Sequence, residues 1–287
     1  MKNFTHQPVL LKEVVNVLCP SRGKVFVDGT CGLGGHTKEL ADRGACVIAL
    51  DRDEKALEKA KENLSDFDNV EFIKTNFANI EKVLDKKVDG ILLDLGVSSM
   101  QLEDKERGFS FEGDNPLDMR MDQNQDLTCE KVVNQYSEED LIQIFTDFGE
   151  ERFAKRIARN IIQERPIKTT KALVEIIKRS KPAKYRYGQK THFATNIFRA
   201  LRMEVNSEVK DLSEFLGKAA EWIKFGGKIV IISFHSIEDR IVKRGFQMLE
   251  LGGKGEIITK KPIIPNEDEI KKNRRSRSAK LRAFEVK

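Results

Sequence analysis

Histidine and cysteine are scarce in this 287-residue chain, with four of each. Cys19, Cys31, Cys46 and Cys129 make no CxxC pair, and no histidine stands at ligand spacing from another, so no metal site is expected. Unpaired thiols suit a reducing compartment. No run approaches the roughly 20 apolar residues that cross a bilayer. The first residues, up to Leu18, carry Lys12 and Glu13 inside their apolar part, which is not a signal-peptide layout. These absences point to a soluble, cytoplasmic protein. They leave the oligomeric state open, a homodimer included.

Hydrophobic residues make up 39% and charged residues 34% of the chain, enough for a core and a solvated surface. The length allows one large α/β domain and a smaller one. The net charge of +5 is modest but unevenly spread. Residues 151–210 hold 16 Lys and Arg against five Asp and Glu, a surplus of 11 positive charges, so the remainder sits at −6. A polyanion is the natural partner of such a segment, although solvated basic helices look the same.

Short apolar runs alternate with helical ones through the first hundred residues. Strands are expected at Lys24–Asp28, Ala45–Asp51, Val70–Lys74 and Gly90–Asp94. Helices are expected at Gly35–Arg43 and at Asp53–Leu64, the second capped by Asp53. This rhythm predicts a parallel, doubly wound sheet. Gln101–Gln125 is polar and turn-rich, and Thr128 to about Asn206 reads as helix throughout. Strands return at Gly227–Phe234, and Lys280–Val286 alternates like an edge strand. The expected organisation is an α/β domain over 1–105 and 207–287, with an inserted, basic, all-helical domain over 106–206.

The first strand ends in Asp28-Gly-Thr-Cys-Gly-Leu-Gly-Gly-His36. Glycines there let the backbone turn and approach a ligand at a helix N-terminus. A Walker A loop is absent, and GxGxxG fails because its third glycine falls on Thr37. The loop is closer to the acidic-GxGxG turn of methyltransferases, with Thr30 in place of the first glycine. Asp51 closes the second strand, 23 positions after Asp28, where a carboxylate accepts ribose hydroxyls or caps a helix. Phe77 follows the third strand, as an adenine platform or as core. Asp94 ends the fourth, where a transferable group belongs.

Ordered motifs along the chain then resemble one known family. They are His6-Gln-Pro-Val-Leu10, the Asp28–His36 loop, Asp89-Gly-Ile-Leu-Leu-Asp-Leu-Gly-Val-Ser-Ser99 and Arg107-Gly-Phe-Ser-Phe111. Pro116-Leu-Asp-Met-Arg-Met-Asp122, Gly149-Glu-Glu-Arg152, Ala200-Leu-Arg202, Ser233-Phe-His-Ser-Ile-Glu-Asp-Arg240 and Arg275-Ser-Arg-Ser278 follow. Together the chain resembles the bacterial 16S ribosomal RNA cytosine-N4 methyltransferase family, the small-subunit rRNA methyltransferase H type. The resemblance implies a Rossmann-like class I methyltransferase fold with a helical insert for RNA, and S-adenosyl-L-methionine as cofactor. It implies that the product is N4-methylcytidine in the decoding centre of 16S rRNA in the small ribosomal subunit. It carries the cofactor contacts onto Gly34, Gly35, His36, Asp51, Phe77, Asp94 and Gln101. The chain departs from the family pattern at Cys31, Met100, Phe193 and Arg199.

Attack by a cytosine amine on a sulfonium methyl needs positioning and an acceptor for the amine proton. Asp94 is the first catalytic candidate, in Asp94-Leu-Gly-Val97, a partial match to the Asp-Pro-Pro-aromatic motif of amine methylases. His235 is the second, or else it only fixes its loop. Arg120, Arg186, Arg199, Arg202 and Asn206 are the expected RNA contacts, the last three on one helical face. Arg156, Arg159, Lys181, Lys184 and Lys190 are further phosphate contacts, with Tyr185 and Tyr187 between them as stacking groups. Asp118 and Asp122 either line the site or pair within a loop. DNA or protein methylation on the same fold, nicotinamide-dependent oxidation and non-enzymatic RNA binding are the competing readings.

Overall fold

The computed structural model describes residues 8–186 and 191–287. His6, Tyr187 and Lys190 lie outside the described residues. The chain divides into two compact units, residues 1–96 with 209–287 and residues 97–208. The sequence places the first boundary after 105, whereas 97–105 group with the helical unit.

The first unit opens with α1 (Leu11–Leu18), then alternates β1 (Val25–Asp28), α2 (Gly35–Asp42), β2 (Cys46–Asp51), α3 (Glu54–Asn63), β3 (Val70–Lys74) and β4 (Val88–Asp94). The chain leaves after Gly96 and returns with α10 (Glu208–Lys218), β5 (Ile223–Ser233), α11 (Ser236–Leu251), β6 (Gly255–Ile257), α12 (Glu267–Lys272) and β7 (Lys280–Val286). The seven strands form one sheet in the order β3-β2-β1-β4-β5-β7-β6. β1 to β5 pair in parallel, and β7 is antiparallel to both its neighbours.

Alternation along the central strands explains the packing. Ile91, Leu93, Ile229 and Ile231 enter one core with Phe215 and Phe246. Leu92, Val230 and Ile232 point the other way, into a core with Val14, Phe26 and Leu40. Both faces of the sheet are covered, which is why these strands read as continuous apolar runs. Asp53 takes the position before α3 but makes no side-chain cap there.

β7 is not an edge strand. It lies between β5 and β6, with Leu281 and Ala283 in one core and Phe284 and Val286 in the other. Its charged position, Arg282, is 7% exposed and donates to Asp239 at 2.6 Å. Alternation made the strand look one-sided; the buried ion pair makes it two-sided.

The second unit contains α4 (Ser99–Glu103), α5 (Cys129–Gln135), α6 (Glu138–Asp147), α7 (Ala154–Gln163), α8 (Thr170–Ser180) and α9 (Thr195–Val205). Among its described residues the only β pairing is an isolated bridge between Pro116 and Thr169. It has its own core, in which Phe145, Ile157, Ile177 and Leu201 meet without exposure. The helix starts carry their own caps: Ser98, Thr128, Ser137 and Thr169 each accept a backbone N–H of the first turn.

Candidate active site

The carboxyl ends of β1, β2 and β4 carry Asp28, Asp51 and Asp94. Ligands of open α/β sheets bind at such ends, next to the strand where the order reverses. Here β1 sits between β2 and β4, so these three acids surround the reversal.

Asp28 is 1% exposed and organises the glycine loop from below. It accepts from Thr37 Oγ1 at 2.7 Å and from the Thr30 N–H at 3.2 Å. Burial pushes its carboxyl up to about 6, against those two donors. Asp51 accepts the Gly32 N–H and the Asp53 N–H, each at 2.8 Å, and burial likewise pushes it up to about 6. Each Asp51 oxygen keeps a further lone pair for an outside donor.

Two glycines of the loop are demanded by geometry. Gly34 has φ +87, and a Cβ there would meet Leu64 at 2.8 Å. A Cβ on Gly35 would meet Pro8 at 2.5 Å. His36 opens the turn of α2 behind them, 6% exposed. Its Nε2 lies 3.0 Å from the Val9 carbonyl, and its Nδ1 3.7 Å from Asp94 Oδ2. Because a carbonyl only accepts, Nε2 carries the hydrogen in the neutral ring.

Asp94 Oδ1 is buried and has no hydrogen-bond partner among the described residues. Burial raises its pKa well above the usual carboxylate range, and the charges of Asp28 and Glu238 add to the effect. Its N–H donates to Thr30 Oγ1 at 2.6 Å, which ties the glycine loop to the end of β4. Thr30 looks in sequence like a missing glycine; its hydroxyl is a strut.

Phe77 is 8% exposed, with its ring edge-on to Phe215 at 5.7 Å, so most of it serves the core. His235 sits at the N-cap of α11, where Nδ1 accepts the Glu238 N–H at 3.3 Å and Nε2 lies 3.0 Å from Glu238 Oε1. Nδ1 thus caps its own helix, while Nε2 is buried and makes no hydrogen bond among the described residues. Glu238, which the sequence did not single out, also accepts the Phe234 N–H at 2.8 Å. Gln101 belongs to the second unit, is 5% exposed, and closes a capping box with Ser98.

The expected RNA contacts divide sharply. Asn206 is 1% exposed; its amide donates to the Met119 and Arg202 carbonyls and accepts the Met121 N–H at 2.7 Å. It is therefore a brace, with nothing left for RNA. Lys181 is 6% exposed and donates to Glu151 and to the Phe193 carbonyl, each at 2.6 Å. It too is interior. Arg202 pairs with Glu208 through two bonds of 2.8 and 2.7 Å, and Arg199 donates to the Gly149 carbonyl at 2.8 Å. Arg199, Arg202 and Asn206 do share a face of α9, but that face serves the unit's own loops and chain ends. Arg120 forks onto Asp118 and donates to the Gln123 and Gln125 carbonyls, so Asp118 is a loop-pairing acid. Arg186 is half-buried. Exposed cations remain at Lys155, Arg156 and Arg159 on the outer face of α7 and at Lys184, whose ammonium lies 5.1 Å from the Tyr185 ring.

A glycine loop leading into a helix, flanked by acids on neighbouring strand ends, fits a nucleoside-bearing cofactor. Comparison with known proteins decides the kind. Residues 3–287 match the model of the MraW methylase family. The chain belongs to that family. It is 48% identical over 292 residues to the ribosomal RNA small subunit methyltransferase H of Kosmotoga olearia, covering 99% of this chain and 98% of that one. The enzymes of the same name from Carboxydothermus hydrogenoformans and Thermotoga neapolitana are 47% and 44% identical, with 98% or more of each chain covered.

Proposed function

We propose that the chain transfers a methyl group from S-adenosyl-L-methionine to the exocyclic N4 amine of a cytosine in the decoding centre of 16S rRNA. Family membership, the names of its relatives and the site chemistry support this reading. The observation that carries it is Asp94 Oδ1, a buried oxygen at the tip of β4 without a hydrogen-bond partner among the described residues.

The residues present fit the cofactor. Gly34, Gly35 and His36 frame the loop, Asp51 accepts ribose hydroxyls, Phe77 borders the adenine, and Asp94 completes the set. Bound there, the cofactor supplies a methyl group already activated by sulfonium charge. The chain supplies orientation and a proton acceptor. Asp94 accepts a hydrogen of the cytosine amine, which localises the nitrogen lone pair toward the methyl. His235 keeps the start of α11 in place and acts as a positioning residue. On the second unit, Lys155, Arg156, Arg159 and Arg186 take phosphates, while Tyr185 offers a stacking face.

The test uses small ribosomal subunits from cells lacking the protein, purified protein and labelled S-adenosyl-L-methionine. Label is expected in N4-methylcytidine at one site. Asp94→Asn should lower turnover by about 10²–10⁴-fold, the usual weight of general-base catalysis, with a smaller loss of cofactor affinity. Label in DNA or protein, and none in RNA, would overturn the reading.

A further inference from the structure

Six cations and no acid fall in the ten residues Lys271–Lys280. This run belongs to the α/β unit and lies outside the basic segment 151–210. It ends at the sheet edge that carries the site. Lys280 pairs with Ser233, the last residue of β5, and Ile232 stands opposite Asp94 on β4. The 3₁₀ turn Arg274–Ser278 therefore leads directly to that edge.

The other end of the run is tied to the glycine loop. Glu269 on α12 accepts the Leu10 N–H at 2.8 Å. The neighbouring Val9 carbonyl contacts His36, and Pro8 lies against Gly35. Two independent attachments thus place one short segment beside the residues that frame the cofactor.

The turn is built to hold its cations outward. In a 3₁₀ turn, side chains three apart share a side. Ser276 and Ala279 face inward, 0% and 1% exposed, and Ser276 Oγ donates to the Asn273 carbonyl at 2.7 Å. Lys272, Arg274, Arg275 and Arg277 are exposed. Lys280 and Arg282 are neutralised by Asp239. Lys272, Arg274 and Arg277 have no carboxylate partner among the described residues. Fixed, unpaired like charges repel one another, and a polyanion relieves that repulsion with release of counterions.

We propose that Lys272, Arg274 and Arg277 form a phosphate-docking strap for the RNA backbone that flanks the target cytosine. The proposal rests on the rRNA reading above and adds a contact surface on the cofactor-binding unit itself. A base presented to an enclosed site leaves the stack of its neighbours, and the backbone on either side must be gripped to hold it there. Contacts to phosphate position the strand without reading its sequence.

The experiment measures binding of labelled small-subunit RNA against salt, together with KM and kcat on subunits. Variants are the pair Arg274→Ala with Arg277→Ala, the single Lys272→Ala, and a control pair, Lys86→Ala with Lys87→Ala. The control residues are exposed just before β4, at the opposite end of that strand from Asp94. Loss of two phosphate contacts should flatten the slope of log K against log salt by about 1.5, and loss of one by about 0.7. Affinity and KM should worsen about tenfold for the pair at moderate salt, with kcat at saturation and cofactor affinity unchanged. The control pair should behave as wild type.

An unchanged slope in the arginine pair and in Lys272→Ala overturns the strap, as does an equal loss in the control pair. Wild-type protein that neither binds nor methylates subunits overturns the rRNA reading, and the strap with it. Wild-type methylation with unaltered variants removes the strap alone.

Discussion

Asp28 shows how one residue carries both a structural cost and a structural purpose. It is 1% exposed and pushed up to about 6, above the ordinary carboxylate value of 3.8. Between those values the folded chain keeps a proton that the unfolded chain has released. Stability from this group is therefore present below pH 3.8 and lost as pH rises toward 6. The shift corresponds to roughly 3 kcal/mol. Asp28→Asn removes the titration and keeps an acceptor for the Thr30 N–H. Denaturant melts from pH 4 to 7.5 should show the variant gaining on wild type by about that amount across the window. A difference that stays constant with pH would show that Asp28 titrates normally. At this scale the loop glycines, Asp28, Asp51 and Asp94 were legible as types at fixed spacing. Thr30 and Glu238 were not, because a hydroxyl or carboxylate that props a backbone N–H has no spacing signature.

Among elements, α9 is the instructive case. Its polar residues at helical spacing suggested a nucleic-acid face, yet they brace the unit. Met119 adopts a left-handed φ of 60, an uncommon state for a residue with a Cβ. Asn206 holds it by taking the Met121 N–H and donating to the Met119 carbonyl, while Arg107 donates to the Arg120 and Met121 carbonyls. Asn206→Ala strands buried backbone groups, each costing about 1–3 kcal/mol. Thermal or denaturant unfolding should show a loss of about 3 kcal/mol, with the RNA affinity of the folded protein unchanged. Weaker RNA binding with unaltered stability would restore Asn206 as an RNA contact. Element type was readable where burial is two-sided, as in β2 and β4. β6, only three residues long, and the central place of β7 depend on pairing that no local pattern announces.

At the scale of the whole molecule, each unit carries a complete core of its own. The helical unit is one contiguous stretch, and its buried residues pack among themselves. Domains with independent cores fold independently. Residues 97–208 expressed alone should give a helical circular dichroism spectrum and a cooperative melt; a featureless, gradual melt would show that the insert needs the rest of the chain. The α/β unit is discontinuous and closes only when residues from 209 onward return to supply β5, β6 and β7.

Sequence alone determined the parallel α/β rhythm, the glycine loop with its acids, the helical insert and the family, because these depend on residue type at short, regular spacing. Tertiary structure alone decided which cations face solvent. Lysine and arginine have the same charge whether they meet water or a buried carboxylate. Lys181 is interior and Arg274 is exposed because long-range packing placed an acid beside one and left the other without a partner among the described residues.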